Sequence, residues 1–313
     1  MDTNLYNGSS FFNYTIDIPE NNKDVRDISA DDLDGIDTII HLAGLSNDPL
    51  GSLNPDLTFR INYEATIRIA ELAKKAGVKR FIFASSCSVY GSSKQQTVDE
   101  DSDTNPVTPY AESKLLAEQG LSSLADTKFC PVYLRNATAY GDSPNIRFDL
   151  VLNNLVAWAV TTGKIFLKSD GTAWRPLIHI HDICRAILLM ITAPCEKVRD
   201  QIFNIGSNSG NYRVIDLANI IKESIPDTKI VFADDKQHDN RNYKVNFDKL
   251  CTLFPEFQTE KTVHTTIPEL CNSFKKNNLY TTAEFEGPRY SRIECIKSLI
   301  SDNSLSTDLR WTN

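Results

Sequence analysis

Two short apolar runs separated by a long helical repeat constrain this chain more than any other feature. Asp37 to Leu42 ends in Ala43-Gly44, and Phe81 to Ala84 ends in serines. Apolar runs of this length read as strands buried on both faces, as parallel sheets require. Between them, Leu57 to Gly77 sets Ile61, Ala65, Ile69, Leu72 and Ala76 at helical spacing, with a lysine-rich last turn and a glycine stop. That pattern predicts an amphipathic crossover helix. Helical spacing returns from Tyr110 through Leu121, and Val132 to Leu134 reads as a further strand. Strand and helix units repeated in this way predict an α/β fold, a Rossmann-like doubly wound parallel sheet. Beyond Tyr140 the pattern loosens into short elements and polar turns such as Asp170-Gly171 and Ser207 to Asn211. A second, smaller lobe is expected there, followed by a tail with a helix over Ser291 to Ile300.

With 313 residues, 41% of them hydrophobic, the chain can bury roughly 75% of the surface that its unfolded form exposes. A formal charge of -8 opposes nucleic acid and anionic membranes as general partners, so an anionic ligand must be met by local cations. Ile183 to Ala193 is interrupted by Arg185 and is too short to cross a ~30 Å hydrocarbon layer. Met1 to Ser10 lacks the basic-then-apolar order of a signal peptide, which predicts a cytoplasmic protein. The seven cysteines are scattered without the close pairs of zinc or redox sites. Reduced, mostly buried thiols and no metal are expected.

Tyr110 and Lys114 stand four residues apart at the start of a predicted helix, so they share a face. They lie in Thr108-Pro109-Tyr110-Ala111-Glu112-Ser113-Lys114, after the strand-end cluster Ser85-Ser86-Cys87-Ser88-Val89-Tyr90-Gly91. A phenol, whose ordinary pKa is about 10, needs a nearby cation to act as a base near neutrality. Together the two segments resemble the Ser/Tyr/Lys apparatus of extended short-chain dehydrogenases, the NAD-dependent epimerase/dehydratase family. The resemblance implies that Tyr110 takes a proton from a sugar hydroxyl as hydride leaves the same carbon, that Lys114 lowers the tyrosine pKa, and that Ser86 orients the hydroxyl. Members that dehydrate sugars usually carry Asp-Glu after the serine or threonine, where this chain has Cys87 and Ser88. That departure favours an epimerase or a keto-sugar reductase. Cys87 reads as an inert buried thiol.

His41-Leu42-Ala43-Gly44-Leu45 resembles the family segment whose backbone runs along the cofactor. Leu42, Ala43 and Gly44 are thus expected at NAD, with NADP less favoured. Asp24-Val25-Arg26-Asp27 resembles the turn beside the adenine amine, and Asn62 falls where the family keeps an asparagine near the strand ends. The Gly-x-x-Gly-x-x-Gly turn that would cradle the pyrophosphate is absent, since Gly8 is the sole glycine before Asp24. Asp2 matches the acidic ribose-binding residue that follows this motif by about 20 residues. On that spacing the first strand, the turn and most of the first helix, on the order of 30 residues, are missing. Two origins compete, a reading frame begun at an internal methionine, which is favoured, and a natural product that has lost cofactor binding.

On the sugar side, Leu134 to Gly141 resembles a family segment, with Thr138 in place of its asparagine. Asn153-Asn154-Leu155 resembles the Asn-Asn-Leu of UDP-glucose 4-epimerases, where Asn154 and Leu155 would meet the diphosphate. Arg175, in Trp174 to Asp182, and Arg241 resemble the two arginines that clamp the diphosphate. His179 and His181 read as structural hydrogen-bonders. The resemblance implies an incomplete NAD-binding domain over residues 1–145 carrying Tyr110 and Lys114. Residues 146–313 would be mainly substrate-binding, with the chain crossing between the two. It also implies a homodimer through the helices that begin near Thr58 and Tyr110. The expected activity is NAD-dependent epimerisation of a nucleotide-diphosphate sugar. Its rivals are an NADP-dependent reductase of a keto-sugar nucleotide and a non-catalytic nucleotide-sugar binding protein.

Overall fold

The computed structural model describes residues 1–14, 18–93, 95–234 and 242–312. Four parallel strands, β1 (Thr38–His41), β2 (Arg80–Ser86), β3 (Cys130–Asn136) and β4 (Gln201–Ile205), are hydrogen-bonded in that order. The register sets Ile40 beside Ile82, Phe83 beside Tyr133 and Leu134 beside Phe203. Side chains alternate across a strand, so Phe81, Phe83 and Tyr133 enter one layer while Ile82, Val132, Leu134 and Phe203 enter the other. Helices α1 (Ala65–Ala76) and α2 (Pro109–Ser122) cover the first layer with Ile69, Ala73, Ala117 and Leu121. Further along the chain come α3 (Val151–Thr162) and α4 (Ile180–Thr192). Helix α4 covers the second layer with Ile183, Ala186 and Met190. The doubly wound sheet expected from the sequence is present. Its β1 edge has only β2 as a strand neighbour among the described residues, and Ile40 and Leu42 are exposed there.

Strand β2 is longer than its apolar run because Ser85 and Ser86 continue it. Buried Ser85 satisfies its hydroxyl on Glu118 at 2.5 Å. Helix α1 is entered through a π-helical turn, Arg60–Glu64, and ends at Gly77 with φ +85°. Helix α2 starts on Pro109, with the Thr108 hydroxyl accepting from the Ala111 amide at 3.2 Å. Such a cap contributes about 1 kcal/mol, and here it fixes where Tyr110 stands. A second core unites Tyr140, Phe148 and α3 with α5 (Val214–Ser224) and α6 (Val263–Lys276). Phe11, from the chain start, joins it, whereas Ile183, Met190, Val198 and Ile205 pack in the second layer of the sheet with Ile82 and Leu134. The tail carries α7 (Arg292–Ser301). Its Ile296, with Leu305 and Leu309, packs on Leu45, Leu50, Leu57 and Ile61.

Candidate active site

Strand β2 delivers Ser86 and the first turn of α2 delivers Tyr110, so both line one cavity of about 890 Å³ together with Lys114. The Ser86 hydroxyl stands beside the Tyr110 phenol and favours its ionised form by hydrogen bonding. Burial pushes the Tyr110 phenol above its usual range, and that bond together with the Arg147 charge pulls the other way. Arg147 is thus the cation that acts most on the phenol. The Lys114 ammonium donates to the Ala84 carbonyl at 2.9 Å and lies 4.7 Å from the Phe83 ring centre. Burial brings its pKa down to about 8, with Glu118 acting in the opposite sense.

Glu118 continues the face that carries Tyr110 and Lys114, one helical turn further on. Its carboxylate pairs with Arg135 of β3 at 2.7 Å, both side chains being 4% exposed. Burial lowers the Arg135 pKa, the Glu118 bonds raise it, and the net result is upward. Arg135 also donates to the Tyr90 hydroxyl at 3.1 Å, which donates to Asn204 at 2.8 Å. This network ties the ends of β2, β3 and β4 under the site. Cys87 is 2% exposed, its thiol donates to the Arg135 carbonyl at 3.1 Å, and burial drives its pKa up. The thiol is therefore neutral. Cys87 and Cys130 are buried, but Cys184 is exposed and the other four are half-buried, so the thiols are less buried than the sequence suggested.

Except for Asn62, the cofactor candidates line two adjoining cavities that together make one groove. Leu42, Gly44 and Ser46 line the main cavity and also a second one of about 260 Å³, which contains Asp2, Asp24, Val25 and Ala43. Gly44 has φ +148°, and a Cβ there would lie 2.8 Å from Asn62 Oδ1. Asn62 lines neither cavity. Turned inward by the π-helical turn, it accepts from the Leu45 amide at 2.8 Å and donates to the Leu45 carbonyl and to Ser113. It fixes the Gly44 bend to α2. Asp24 caps the turn Val25–Asp27 and pairs with Arg26 at 2.7 Å. The groove fits a dinucleotide, with bare backbone at Gly44, acids at one end and Tyr110 with Lys114 at the other.

Thr138, Asn154, Leu155 and Arg175 line the main cavity. Arg175 is 8% exposed and donates to the Trp174 carbonyl at 2.6 Å, and Asn154 donates to Glu286 at 3.0 Å. Arg241 lies outside the described residues. His179 accepts from the His181 amide at 3.0 Å. Sequence reasoning missed several lining groups, among them Arg147, Asp48 and Asn136. Asn136 carries a buried Oδ1 without a partner among the described residues. Asp48 accepts from the Thr108 cap at 2.6 Å, and its place in Asn47-Asp48-Pro49, an Asn cap ahead of a helical Pro, was a readable signal.

A family model described as "NAD dependent epimerase/dehydratase family" matches residues 5–206. The dTDP-D-glucose 4,6-dehydratase of Mus musculus is 27% identical over 231 residues, covering 71% of this chain and 63% of the relative. The UDP-glucose 4-epimerase of Bacillus subtilis is 28% identical over 222 residues, 65% of each chain. The chain thus spans just under two thirds of the length of these curated relatives. Among solved structures, MoeE5 in complex with UDP-glucuronic acid and NAD is 25% identical with a TM-score of 0.71, covering 81% of this chain and 84% of that one. A UDP-glucuronic acid 4-epimerase from Bacillus cereus, 22% identical with a TM-score of 0.71 over 82% of this chain and 81% of that one, shares the fold.

Proposed function

Since this chain belongs to the NAD dependent epimerase/dehydratase family, we propose that it epimerises a nucleotide-diphosphate sugar with NAD, by transient oxidation to a keto sugar. The observation that carries this reading is the Ser86–Tyr110–Lys114 group at one cavity with Arg175, where the residue after Ser86 is a neutral thiol. A neutral Cys87 supports inversion over loss of water, because elimination calls for an acid and a base at that place. Tyr110 accepts the proton of a ring hydroxyl held by Ser86; NAD, held along Leu42 to Gly44, would supply reversible hydride transfer at the same carbon. The proton on Tyr110 then goes back to the sugar oxygen. Lys114 and Arg147 favour the phenolate in both directions. Thr138, Asn154, Leu155 and Arg175 hold the nucleotide sugar, Arg175 by charge-assisted bonds to the diphosphate.

On the cofactor side, Leu42, Ala43 and Gly44 follow the dinucleotide backbone, with Asn62 behind them. Asp2, Asp24 and Val25 receive the adenosine end, and the acids there support NAD over a 2′-phosphorylated cofactor. The NAD-binding and substrate-binding parts divide near residue 145 in this reading, and two copies pair through α1 and α2. Calorimetry with NAD and with UDP-sugars, followed by NMR of the products, tests it. Binding of both with an epimeric product is expected. A keto-sugar nucleotide consuming added reduced cofactor stoichiometrically would make it a reductase, and sugar binding without turnover a binding protein.

A further inference from the structure

Two arginines meet where the two cavities join. Arg147, in the segment leading to α3, donates to the Ser46 carbonyl at 3.2 Å. Arg292, the first residue of α7, donates to the Ser46 hydroxyl at 3.1 Å and lies 4.7 Å from the centre of the Tyr6 ring. Asp149 takes two bonds from Arg147, at 3.0 and 2.6 Å, and a further one from Asn47. Asp149 is thus held by Arg147, whereas Arg292 has no ion pair among the described residues. Burial and the neighbouring Arg147 charge lower the Arg292 pKa, with Tyr6, Asp149 and Asp2 acting the other way. Among the described residues Arg292 makes one hydrogen bond, so most of its five N–H donors are available to a ligand.

A dinucleotide carries its diphosphate between its two nucleosides. In the groove, the Asp2 and Asp24 end and the Tyr110 and Lys114 end are separated by Gly44 to Ser46. We propose that Arg147 and Arg292 form the anion clamp for the diphosphate of a dinucleotide lying in this groove. The proposal rests on the NAD reading above and adds the residues that answer the diphosphate charge. Arg292 presents its guanidinium from the tail, and Arg147 from the neighbourhood of the second core. Both already bond Ser46 in the loop after β1, which sets them side by side.

NADH binding followed by its fluorescence, with adenosine as a probe lacking the diphosphate, tests the clamp in the full chain. Arg292→Gln should weaken NADH by ~10–100-fold, the scale of a lost bond to a charged group, and leave adenosine affinity unchanged. Arg292→Lys should recover part of the loss, since it restores the charge without the fork. An Arg147→Gln chain of unchanged melting temperature should show the same split between the two probes. Equal NADH affinity in wild type and Arg292→Gln overturns the clamp and leaves the NAD reading standing. An equal loss for adenosine also overturns it, as a general disturbance of the groove. A wild-type chain that binds neither probe removes the NAD reading, and the clamp with it.

Discussion

Lys114 shows how one buried residue joins packing to chemistry. Its ammonium is held by the Ala84 carbonyl and the Phe83 ring, and burial brings its pKa to about 8. In the unfolded chain the same amine titrates at about 10.4. Between those values the folded state carries fewer protons than the unfolded one, so this group makes folding more favourable as pH rises through that window. Below about 8 its burial penalty is fully present. NMR of lysine-Cε-labelled protein should show one resonance titrating near 8, absent in Lys114→Met. Titration of every lysine near 10.4 would contradict the burial argument. Tyr110 and Lys114 were legible as neighbours because a four-residue helical step puts them on one face, whereas Ser86, 24 residues away, entered only through the resemblance. Glu118, four residues beyond Lys114, lay within reach of the same reasoning. Arg147 and Arg292 were not, because their meeting at Ser46 depends on how distant segments pack.

At the scale of elements, β1 to β3 were legible as short apolar runs and α1 and α2 by their helical spacing, whereas β4 gave no such run to read. The π-helical turn Arg60–Glu64 was not legible either, since its cause is tertiary: Asn62 must reach both Leu45 and Ser113. Nor was the tail's destination. Arg310 pairs with Asp27, Arg26 and Arg60 bond Asp308, and the Trp311 indole donates to the Thr3 carbonyl at 2.7 Å. These contacts hold the tail against the Asp24 turn. The pairing of two copies through α1 and α2 draws support from Phe59, just ahead of α1, and Leu116 of α2, which are half-buried yet outside all four core clusters. Light scattering at micromolar concentration should give twice the chain mass, and Leu116→Glu should reduce it to one. A wild-type chain of single mass would remove the dimer.

Across the whole molecule, the cavity lies between β2 and α2, which supply Ser86, Tyr110 and Lys114, and α3, which supplies Asn154 and Leu155, with Arg175 beside them. No helix among the described residues is long and apolar enough to cross a membrane. The division of labour is what the proposed chemistry asks for, one side moving a proton and the other holding a diphosphate. If Tyr110 removes a proton from a sugar hydroxyl as bound NAD oxidises its carbon, the reduced cofactor would form and vanish within each turnover. Rapid mixing of the NAD-loaded chain with a UDP-sugar that it inverts, followed at the absorbance of the reduced nicotinamide, measures this directly. A transient rise and fall is expected in the wild type, with its rate of appearance reduced by ~10²–10⁴-fold in Tyr110→Phe and sugar affinity little changed. Inversion without any transient, or a transient equally fast in Tyr110→Phe, would contradict it.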